Sequence, residues 1–379
     1  MDGKSLYFPS CFINGKRAGY IMLDEYNLNK IVEPLQKWFL ENARVLPWRD
    51  DPTPYHVWIS EIMLQQTRVE AVRSYFERFV KELPDVYALA ECPEDRYLKL
   101  WEGLGYYNRV RNMNTAAKQI VENYGGRIPS DYEELLKLKG IGNYTAGAIA
   151  SIACNQPVPA VDGNVLRVIS RISGDDSDIM KQSVKTHMEE KLRSLMTAEL
   201  ETELKPRIFN QALMELGALV CVPNGEPHCG QCPLNDVCEA YRQGRTAEIP
   251  VRSKAGARRI EKKTIFIIKD GEKIAIRKRP KRGLLAGLYE FPGHEGHMKQ
   301  DEALSYMKLL GYMPIRIRPL GEAKHVFSHV EWHMTGYAVQ VEEVPESRNG
   351  IFFVEVSELS RQYAVPAAFA RYMEFINMN

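Results

Sequence analysis

The stretch LLKLKGIGNYTAGAIASIA, residues 135–153, contains two apolar segments joined by Gly140, Ile141 and Gly142. The first segment predicts an amphipathic helix that ends at Gly140, and Asn143 can cap a second helix. Two glycines let another backbone approach closely, and the free N–H groups of the second helix can hold a phosphate. The stretch predicts a helix-hairpin-helix with Gly140 and Gly142 as candidate DNA phosphate-binding residues, although such turns also occur in proteins that do not bind DNA.

The residues around this stretch, 28–240, have the periodicity of helices. In RVEAVRSYFERFVKEL, residues 68–83, apolar side chains recur every three or four positions, which predicts one buried face. These side chains are Val69, Val72, Tyr75, Phe76, Phe79, Val80 and Leu83. After about residue 262 the pattern changes to that of strands.

In TIFIIKDGEKIAIRKR, residues 264–279, two β-rich runs flank Asp270 and Gly271, which predicts a hairpin. Strand-like alternation continues over 315–341, and helices are predicted at 301–312 and 366–377. The sequence therefore predicts a multidomain chain in which an all-α domain precedes an α+β domain. The predicted boundaries are an N-terminal extension at 1–27, a helical domain at 28–220, a cysteine loop at 221–241, a connector at 242–261 and an α+β domain at 262–379.

Charge is concentrated in one part of the chain. The net charge of +1 indicates no particular partner, but residues 242–282 contain 15 Lys and Arg against 4 Asp and Glu. Such a stretch suits a polyanion, and a solvated surface is the equally ordinary alternative. The opening MDGKSLYFPS is not typical of a secretory signal, and no run approaches the ~18 apolar residues of a membrane span. We expect a cytoplasmic protein, bacterial in type, without a membrane partner.

Four of the seven cysteines lie in CVPNGEPHCGQCPLNDVC, residues 221–238. Seven, two and five residues separate Cys221, Cys229, Cys232 and Cys238. In a reducing compartment this spacing favours metal or cluster ligation over disulfides. An irregular loop of four thiolates suits a [4Fe-4S] cluster, while zinc and unliganded structural thiols remain alternatives.

Two carboxylates have the sequence context of an acid–base pair. Asp162, in PAVDGNVLRVISR, precedes an apolar helical run, where a capping aspartate is the simpler explanation. Glu61, in VWISEIMLQQTRVE, is a lone acid among apolar residues, which should raise its pKa. A protonated acid and an ionised carboxylate together can cleave a glycosidic bond through an oxocarbenium-like transition state.

Six motifs in this order resemble the adenine DNA glycosylase family of the endonuclease III superfamily, over about residues 28–375. They are LPWR at 46–49, SEIMLQQT at 60–67, WEGLGYYNRVRN at 101–112, LKGIGNYTAGA at 138–148, VDGNV at 161–165 and the cysteine stretch. The resemblance implies excision of adenine opposite 8-oxoguanine or guanine in duplex DNA. It further implies a [4Fe-4S] cluster on the four cysteines and a chain that acts as a monomer.

The resemblance also implies roles for individual residues. Glu61 would protonate the flipped adenine at N7, Asp162 would stabilise the sugar cation, and Asn164 would orient Asp162. Tyr144 stands where the lyase members of the superfamily have a Schiff-base lysine, which implies a monofunctional enzyme. The implied substrate-binding residues of the helical part are Trp48, Arg49, Gln66, Thr67, Leu104, Tyr106 and Gln211.

The C-terminal part resembles a Nudix-type domain that reads 8-oxoguanine. Phe327, Ser328 and His329 match its recognition loop, although a Ser-His pair is also an ordinary turn. The predicted helix after LYEFPG offers only Asp301 and Glu302 as acids, so we expect binding without Mg²⁺-dependent hydrolysis.

Three departures from the family pattern stand out. The first cysteine gap holds seven residues instead of six, Gln211 replaces a glutamate found in some relatives, and residues 1–27 match nothing in the family. Two other functions remain as alternatives, a damage-reading protein without chemistry and a bifunctional lyase. The first needs neither Glu61 nor Asp162, and the second needs lysine at position 144.

Overall fold

The computed structural model describes residues 12–13, 16–17, 23, 26–198, 204–253, 256–342 and 350–376, so most of the predicted N-terminal extension lies outside the described residues. The chain forms two compact units. The first contains the described residues within Met1–Ile62 and Ile128–Lys254, and the second contains those within Met63–Arg127 and Ala255–Asn379. This division rests on contacts between residues, whereas the predicted domains rest on sequence motifs. The boundaries of the predicted domains stay a prediction.

The described residues form helices and strands in the following order. The α-helices are α1 (Asn29–Asn42), α2 (Pro47–Asp50), α3 (Pro54–Leu64), α4 (Val69–Glu82), α5 (Val86–Glu91), α6 (Glu94–Leu100), α7 (Asn108–Tyr124), α8 (Tyr132–Leu136), α9 (Asn143–Ala148), α10 (Gly163–Ser173), α11 (Gln182–Thr197), α12 (Pro206–Leu219), α13 (Glu239–Arg242), α14 (Gln300–Leu309), α15 (Val356–Gln362) and α16 (Ala370–Met373). A π-helical turn, Ile149–Ala153, follows α9, and 3-10 turns occupy Cys229–Gln231, Asn235–Val237 and Ala367–Phe369. The strands are β1 (Phe12–Ile13), β2 (Lys16–Arg17), β3 (Arg259–Asp270), β4 (Lys273–Lys278), β5 (Tyr289–Glu290), β6 (Gly293–Glu295), β7 (Pro314–Val326), β8 (Val330–Val341) and β9 (Ile351–Glu355).

Helices α1, α10, α11 and α12 enclose the core of the first unit. Each contributes apolar side chains at helical spacing, so that its buried face meets the others. Among these side chains are Ile31, Leu35, Val168, Ile169, Met188, Leu192, Phe209 and Leu213. Helix α10 begins directly after its N-cap residue Asp162 and ends before Gly174, whose φ of 69° favours glycine. The core packing of α10 therefore fixes the position of Asp162.

Helix α3 is predominantly apolar. Val57, Trp58, Ile59 and Ile62 are at most 3% exposed, as expected for a helix without a polar face. The single acid of this helix, Glu61, is therefore placed in the protein interior.

The helix-hairpin-helix is formed by α8, α9 and the segment between them, but two details of its prediction are wrong. The first helix ends at Leu136 instead of Gly140. Gly142 is the N-cap residue of α9, whereas Asn143 lies inside the helix and its side chain donates to Glu189 at 3.0 Å. Because the carboxylate of α11 engages the Asn143 amide, that side chain does not cap the backbone. Gly140 has a φ of 79°, which explains the need for glycine in the turn.

The second unit contains a mixed sheet with the strand order β5-β4-β3-β8-β7, and β6 and β9 pair with β3 and β4. The predicted hairpin is present as β3 and β4, whose residues Asp270 and Lys273 pair across the turn. Strand β3 also pairs in parallel with β8 over eleven residues, from Arg259 to Lys269. The long parallel pairing makes β3 the central strand.

Successive side chains of β3 point to opposite faces of the sheet. Ile265 and Ile267 belong to one apolar core, while Phe266 and Ile268 belong to the other. This alternation is the period of two expected for a strand that is buried on both faces. Both faces of the sheet are therefore covered.

Helices α4 to α7 belong to the second unit. The buried residues of α4 are Val72, Phe76 and Phe79, which confirms its predicted apolar face. Lys99, at the end of α6, donates to the carbonyl of Tyr363 at 2.9 Å, and Glu102 accepts from the backbone N–H of Val365 at 2.7 Å. These contacts join the helices of residues 63–127 to the sheet-containing part.

The predicted connector, 242–261, overlaps both flanking structures. Ile249 is 1% exposed in the core of the first unit, and its carbonyl accepts from Arg171 at 2.7 Å. Strand β3 already begins at Arg259.

None of the helices among the described residues has the length and apolarity needed to cross a membrane.

Candidate active site

Glu61 lies in the interior of the first unit. The Tyr144 hydroxyl, on α9, donates a hydrogen bond to its carboxyl group. Burial raises the pKa of Glu61 to about 7, and the negative charge of Asp162 acts in the same direction. The hydrogen bond from Tyr144 and the charge of Arg49 oppose this rise. A large fraction of Glu61 is therefore protonated at neutral pH and can donate a proton.

Tyr144 is the phenol that faces this acid. Burial raises its pKa well above the ordinary value, and the charges of Glu61 and Asp162 raise it further. The hydroxyl therefore remains protonated at every pH at which the protein acts. It is a hydrogen-bond donor, and its position supplies no amine.

Asp162 is both a helix cap and a buried carboxylate. One of its oxygens accepts from the backbone N–H groups of Asn164 and Val165, each at 2.8 Å, and the other accepts from the Asn164 side chain at 2.7 Å. Burial raises its pKa, while these hydrogen bonds and the charge of Arg167 oppose the rise. Three donors on Asp162, against one on Glu61, favour the charged form of Asp162. The two carboxyls therefore suit opposite roles.

A network of charged side chains lies beside these acids. Arg49 donates to Gln211 at 3.1 Å and to Glu215 at 2.9 Å, and Arg44 donates three further hydrogen bonds to Glu215, two from its side chain and one from its backbone N–H. Trp48, the neighbour of Arg49 on α2, is buried. The predicted residues Arg49 and Gln211 therefore contact each other directly, and Gln211 provides a neutral oxygen.

Sequence reasoning missed Glu215 and Arg44. Glu215 carries the same signal as Glu61, because it is a lone acid in the apolar stretch NQALMELGALV. Burial alone would raise the pKa of Glu215, but its hydrogen bonds with Arg44 and Arg49 lower it to about 2. It is therefore ionised and structural, although its sequence context matches that of the proposed acid.

The four cysteines of the loop line one cavity. Cys221, Cys229, Cys232 and Cys238 share this cavity with apolar residues of α10 and α12. The first cysteine gap is accommodated because the backbone N–H of His228 donates to the Val220 carbonyl at 2.9 Å and closes the seven residues into a loop. No group of three or more His, Cys, Asp or Glu side chains with the geometry of a metal site occurs among the described residues.

The chemistry of this cavity fits a cationic cluster. Burial, together with the charges on the other thiols, raises the pKa of Cys232 to about 12 and that of Cys238 to about 11. Four thiolates close together therefore need compensating positive charge. Arg171 supplies some of it, since its guanidinium lies 3.3 Å from the sulfur of Cys221. A donor set of four cysteine thiols that line one cavity fits the chemistry of a [4Fe-4S] cluster.

Helix α10 connects this loop with Asp162. Arg167 donates to the Asn164 side chain at 2.9 Å and to the Cys221 carbonyl at 2.8 Å. Asn164 in turn donates to Asp162. The position of Asp162 is thereby coupled to that of the cysteine loop.

The second unit brings together another group of predicted residues. Leu104 and Tyr106 line a cavity of about 650 Å³ together with Phe327, Ser328 and His329. The centre of the Phe327 ring lies 4.6 Å from that of His325 and 4.9 Å from that of Trp332. Ser328 and His329 are exposed. The three residues form the turn between β7 and β8 and project a polar pair from an aromatic base.

Gln66 and Thr67 lie between α3 and α4. The backbone of Gln66 has a φ of 59°, which is unusual for a residue with a side chain. The backbone N–H of Thr67 donates to the Leu64 carbonyl at 3.2 Å, which closes the turn. The Gln66 side chain is exposed.

Comparison with known proteins agrees with these features. A family described as HhH-GPD superfamily base excision DNA repair protein matches residues 59–194, and the NUDIX domain family matches residues 264–375. Adenine DNA glycosylase of Mus musculus is 34% identical over 371 residues, which cover 83% of this chain and 71% of the mouse protein. The chain belongs to the adenine DNA glycosylase family.

Two further proteins are similar to this glycosylase. Adenine DNA glycosylase of Buchnera aphidicola subsp. Schizaphis graminum is 36% identical over 300 residues, covering 78% of this chain and 84% of the relative. A solved structure of a thermostable thymine-DNA glycosylase is similar with a TM-score of 0.49 and 26% identity, covering 57% of this chain and 96% of that chain. The predicted fold, a helical glycosylase domain followed by a Nudix-like domain, is confirmed by the two family matches.

Proposed function

We propose that this glycosylase excises adenine that lies opposite 8-oxoguanine or guanine in duplex DNA. The observation that carries the proposal is the buried Glu61, whose pKa of about 7 makes it a proton donor at neutral pH, beside the ionisable Asp162. A protein that only binds damaged DNA has no need for such a pair. The name of the curated relatives supports adenine as the excised base.

The first step is protonation of the flipped adenine. Glu61 donates its proton to N7, so the bond between N9 and C1′ breaks with its electron pair moving to the base. The base leaves neutral, and the sugar becomes an oxocarbenium cation. Tyr144 holds the Glu61 carboxyl in place through its hydrogen bond.

Asp162 acts on the cation. Its charge stabilises C1′ as positive charge develops there, and Asn164 orients the carboxylate by donating to it. Water then adds to C1′ and transfers its proton to a carboxylate. Trp48, Arg49 and Gln211 are the proposed pocket for the adenine base.

The enzyme is proposed to be monofunctional. Opening of the abasic sugar by β-elimination through a Schiff base needs an amine nucleophile, and position 144 carries a phenol that donates to Glu61. The DNA strand therefore stays intact after base excision. This separates the proposal from an endonuclease III-type lyase.

The turn at Phe327, Ser328 and His329 is proposed to read 8-oxoguanine. Its exposed Ser328 hydroxyl and His329 ring share one hydrogen bond at 3.1 Å and can exchange it for contacts with the oxidised base. Binding without hydrolysis fits the acids nearby: Glu302 caps the backbone of Lys299, and Glu290 pairs with Arg277 and Arg279. These two acids are already engaged by other groups of the chain.

Cys221, Cys229, Cys232 and Cys238 are proposed to hold a [4Fe-4S] cluster. When bound, the cluster supplies positive charge to four thiolates and takes no part in base excision. The chain's own residues, Arg171 and Arg167, hold the loop against α10. Duplex DNA is the proposed partner, with phosphates at Gly140 and Gly142, and the chain is proposed to act as a monomer in the cytoplasm.

A strand-specific gel assay tests the proposal. Duplexes carrying adenine opposite 8-oxoguanine or guanine are incubated with excess protein, and half of each sample is then heated with alkali. We expect cleavage at adenine only after alkali, with faster excision opposite 8-oxoguanine. Cleavage without alkali, together with a covalent adduct trapped by borohydride, would establish a lyase. Intact strands in every sample would indicate a protein that binds DNA without excising a base.

A further inference from the structure

Arg109, in the first turn of α7, joins two segments that are distant in the sequence. Its guanidinium donates to the Gln65 carbonyl at 2.5 Å, to the Leu104 carbonyl at 3.0 Å and to the Gly105 carbonyl at 3.3 Å. Forty-four residues separate Arg109 from Gln65. One side chain therefore connects the turn at 65–67 with the loop at 103–107.

Each of these segments contains a non-glycine residue whose backbone has the left-handed conformation. Gln66 has a φ of 59° and Tyr106 has a φ of 46°. Such conformations are strained and persist only where the surrounding structure holds them. The carbonyls that Arg109 engages include those of Gln65 and Gly105, which directly precede Gln66 and Tyr106 in the chain.

Arg109 also supports the Tyr106 side chain. Its guanidinium lies 5.1 Å from the centre of the Tyr106 ring and 5.6 Å from that of Trp101. Trp101 in turn donates to the Gly105 carbonyl at 3.0 Å. The Tyr106 ring is 49% exposed, so it is held from beneath while its outer part remains available for contacts.

We propose that Arg109 is a positioning residue that holds Gln66 and Tyr106 at a fixed separation for insertion into the DNA duplex beside the flipped adenine. The inference rests on the proposed function, in which Gln66 and Tyr106 offset the loss of base stacking during flipping. Arg109 touches neither base nor sugar in this account. It acts by setting the backbone of both wedge residues before DNA arrives, which lowers the entropy lost on insertion.

The chemistry of the contact requires arginine. A guanidinium is planar and presents several N–H donors in fixed directions, so it can serve three carbonyls of two segments at once. A lysine ammonium has the same charge but one donor centre at the end of a flexible stem. Arg109→Lys therefore preserves charge toward DNA and loses the geometry, whereas Arg109→Met loses both.

The first experiment measures the two segments without DNA. Hydrogen exchange of the backbone amides at 64–67 and 103–107 is compared in the wild type, in Arg109→Lys, in Arg109→Met and in Lys118→Met. Lys118 is an exposed residue of the same helix and serves as the control for loss of charge. We expect Arg109→Lys to accelerate exchange in both segments together, and Lys118→Met to leave it unchanged. Unchanged exchange in Arg109→Lys would overturn the proposal.

The second experiment tests whether Arg109 acts through the wedge residues. Base unstacking is followed by fluorescence of a 2-aminopurine placed beside the target adenine, and excision is measured in single turnovers. Arg109→Lys should reduce both signals by about tenfold to a hundredfold in the wild-type background. In the Gln66→Ala/Tyr106→Ala background the same substitution should have little further effect, because its targets are gone.

A purely structural role would give a different pattern. Arg109→Lys would then lower the thermal midpoint and excision equally in both backgrounds, and that result would overturn the proposal. The proposed function fails separately: it fails if the wild-type protein neither unstacks nor excises adenine. The hydrogen-exchange comparison is made on free protein, so it reports on the Arg109 contacts in either case.

Discussion

Glu61 and Glu215 are lone acids on apolar helices, yet their neighbours shift their pKa values in opposite directions. Glu61 receives one hydrogen bond from a neutral phenol, and burial raises its pKa to about 7. Burial acts on Glu215 as well, but hydrogen bonds from Arg44 and Arg49 lower its pKa to about 2. The partner, and not the apolar context, decides which buried acid can donate a proton.

Replacement of Glu61 by glutamine should separate chemistry from binding. Glutamine has the same shape but no titratable proton, so excision should fall by about 10²–10⁴-fold, the usual contribution of general acid catalysis. Single-turnover excision and gel-shift affinity are measured on the same duplex. Turnover near that of the wild type would place the acid at another residue.

The pKa of Glu61 also predicts how activity depends on pH. Because the protonated form is the active one, excision should decline as the pH rises through about 7. The decline should be absent in the residual activity of Glu61→Gln. An alkaline limb shared by both proteins would assign the ionisation to a different group.

Stability should follow the same ionisation. The folded protein holds the Glu61 proton more tightly than the unfolded chain does, since the pKa is raised from 4.5 to about 7. The stabilising contribution is complete below pH 4.5 and is lost as the pH rises through about 7. Above that pH, Glu61→Gln should be more stable than the wild type by on the order of 3 kcal/mol. Urea unfolding of both proteins at pH 5 and pH 8 measures the difference.

Asp162→Asn tests whether this residue is more than a helix cap. Asparagine caps a helix about as well as aspartate, so the thermal midpoint should change little. Excision should fall by about 10²–10³-fold, because the charge that faces the sugar cation is lost. A large fall in stability, with activity reduced only in proportion to the folded fraction, would reduce Asp162 to its capping role.

At the scale of elements, α10 links the cysteine loop to Asp162. The helix presents Asp162 at its start, Arg167 to the Cys221 carbonyl and Arg171 to the Cys221 sulfur. The loop itself has only short turns of regular structure, and these two arginines tie it to α10. Changes in the loop should therefore reach the active site through one helix.

Metal analysis of the purified protein tests the cluster. We expect about four irons and four acid-labile sulfides per chain, with a yellow-brown colour. Cys232→Ser should lose iron, whereas Cys154→Ser, at a cysteine outside the loop, should retain it. One equivalent of zinc in active, colourless protein would favour the zinc alternative.

Local sequence patterns predicted individual helices and strands better than they predicted which elements pack or pair with one another. The hairpin of β3 and β4 follows from Asp270 and Gly271, and the face of α4 follows from its periodicity, because both signals lie within a few residues. The parallel pairing of β3 with β8 joins residues such as Ile267 and Ala338 that are far apart in the chain. No local signal fixes such a register. The Asn143 side chain is a second example, because its partner Glu189 lies 46 positions further along the chain.

At the scale of the whole molecule, the domains predicted from the order of the motifs differ from the two compact units that the contacts define. Residues 63–127 carry motifs of the helical glycosylase, yet they form a compact unit with the sheet-containing C-terminal part. Arg111 donates to the Ala286 carbonyl at 2.5 Å, and Lys278 pairs with Asp95 at 2.7 Å. The sequence could indicate candidate site residues such as Glu61 and Asp162, since they lie in short motifs, and their roles stay a prediction. It could not indicate these pairings, which depend on long-range packing.

This grouping determines how the proposed reading of 8-oxoguanine by residues 327–329 should be tested. Removal of residues 262–379 would take away the partners of Lys99, Glu102 and Arg111, so a loss of function could reflect instability of α6 and α7. Substitutions within the full chain avoid this problem. Ser328 is exposed and its side chain bonds only to His329 among the described contacts, so its removal should not disturb the fold.

The preference for 8-oxoguanine over guanine should therefore depend on the turn at 327–329. One neutral hydrogen bond contributes about 1 kcal/mol net, so Ser328→Ala should reduce the preference several-fold. Replacement of Phe327, Ser328 and His329 together by alanine should reduce it further, because Phe327 packs on Trp332 and holds the turn in shape. Ser305→Ala, on the exposed surface of α14, is the matched control. Single-turnover rates on both duplexes at equal salt give the preference, and a triple variant that kept it in full would move recognition to residues such as Leu104 and Tyr106.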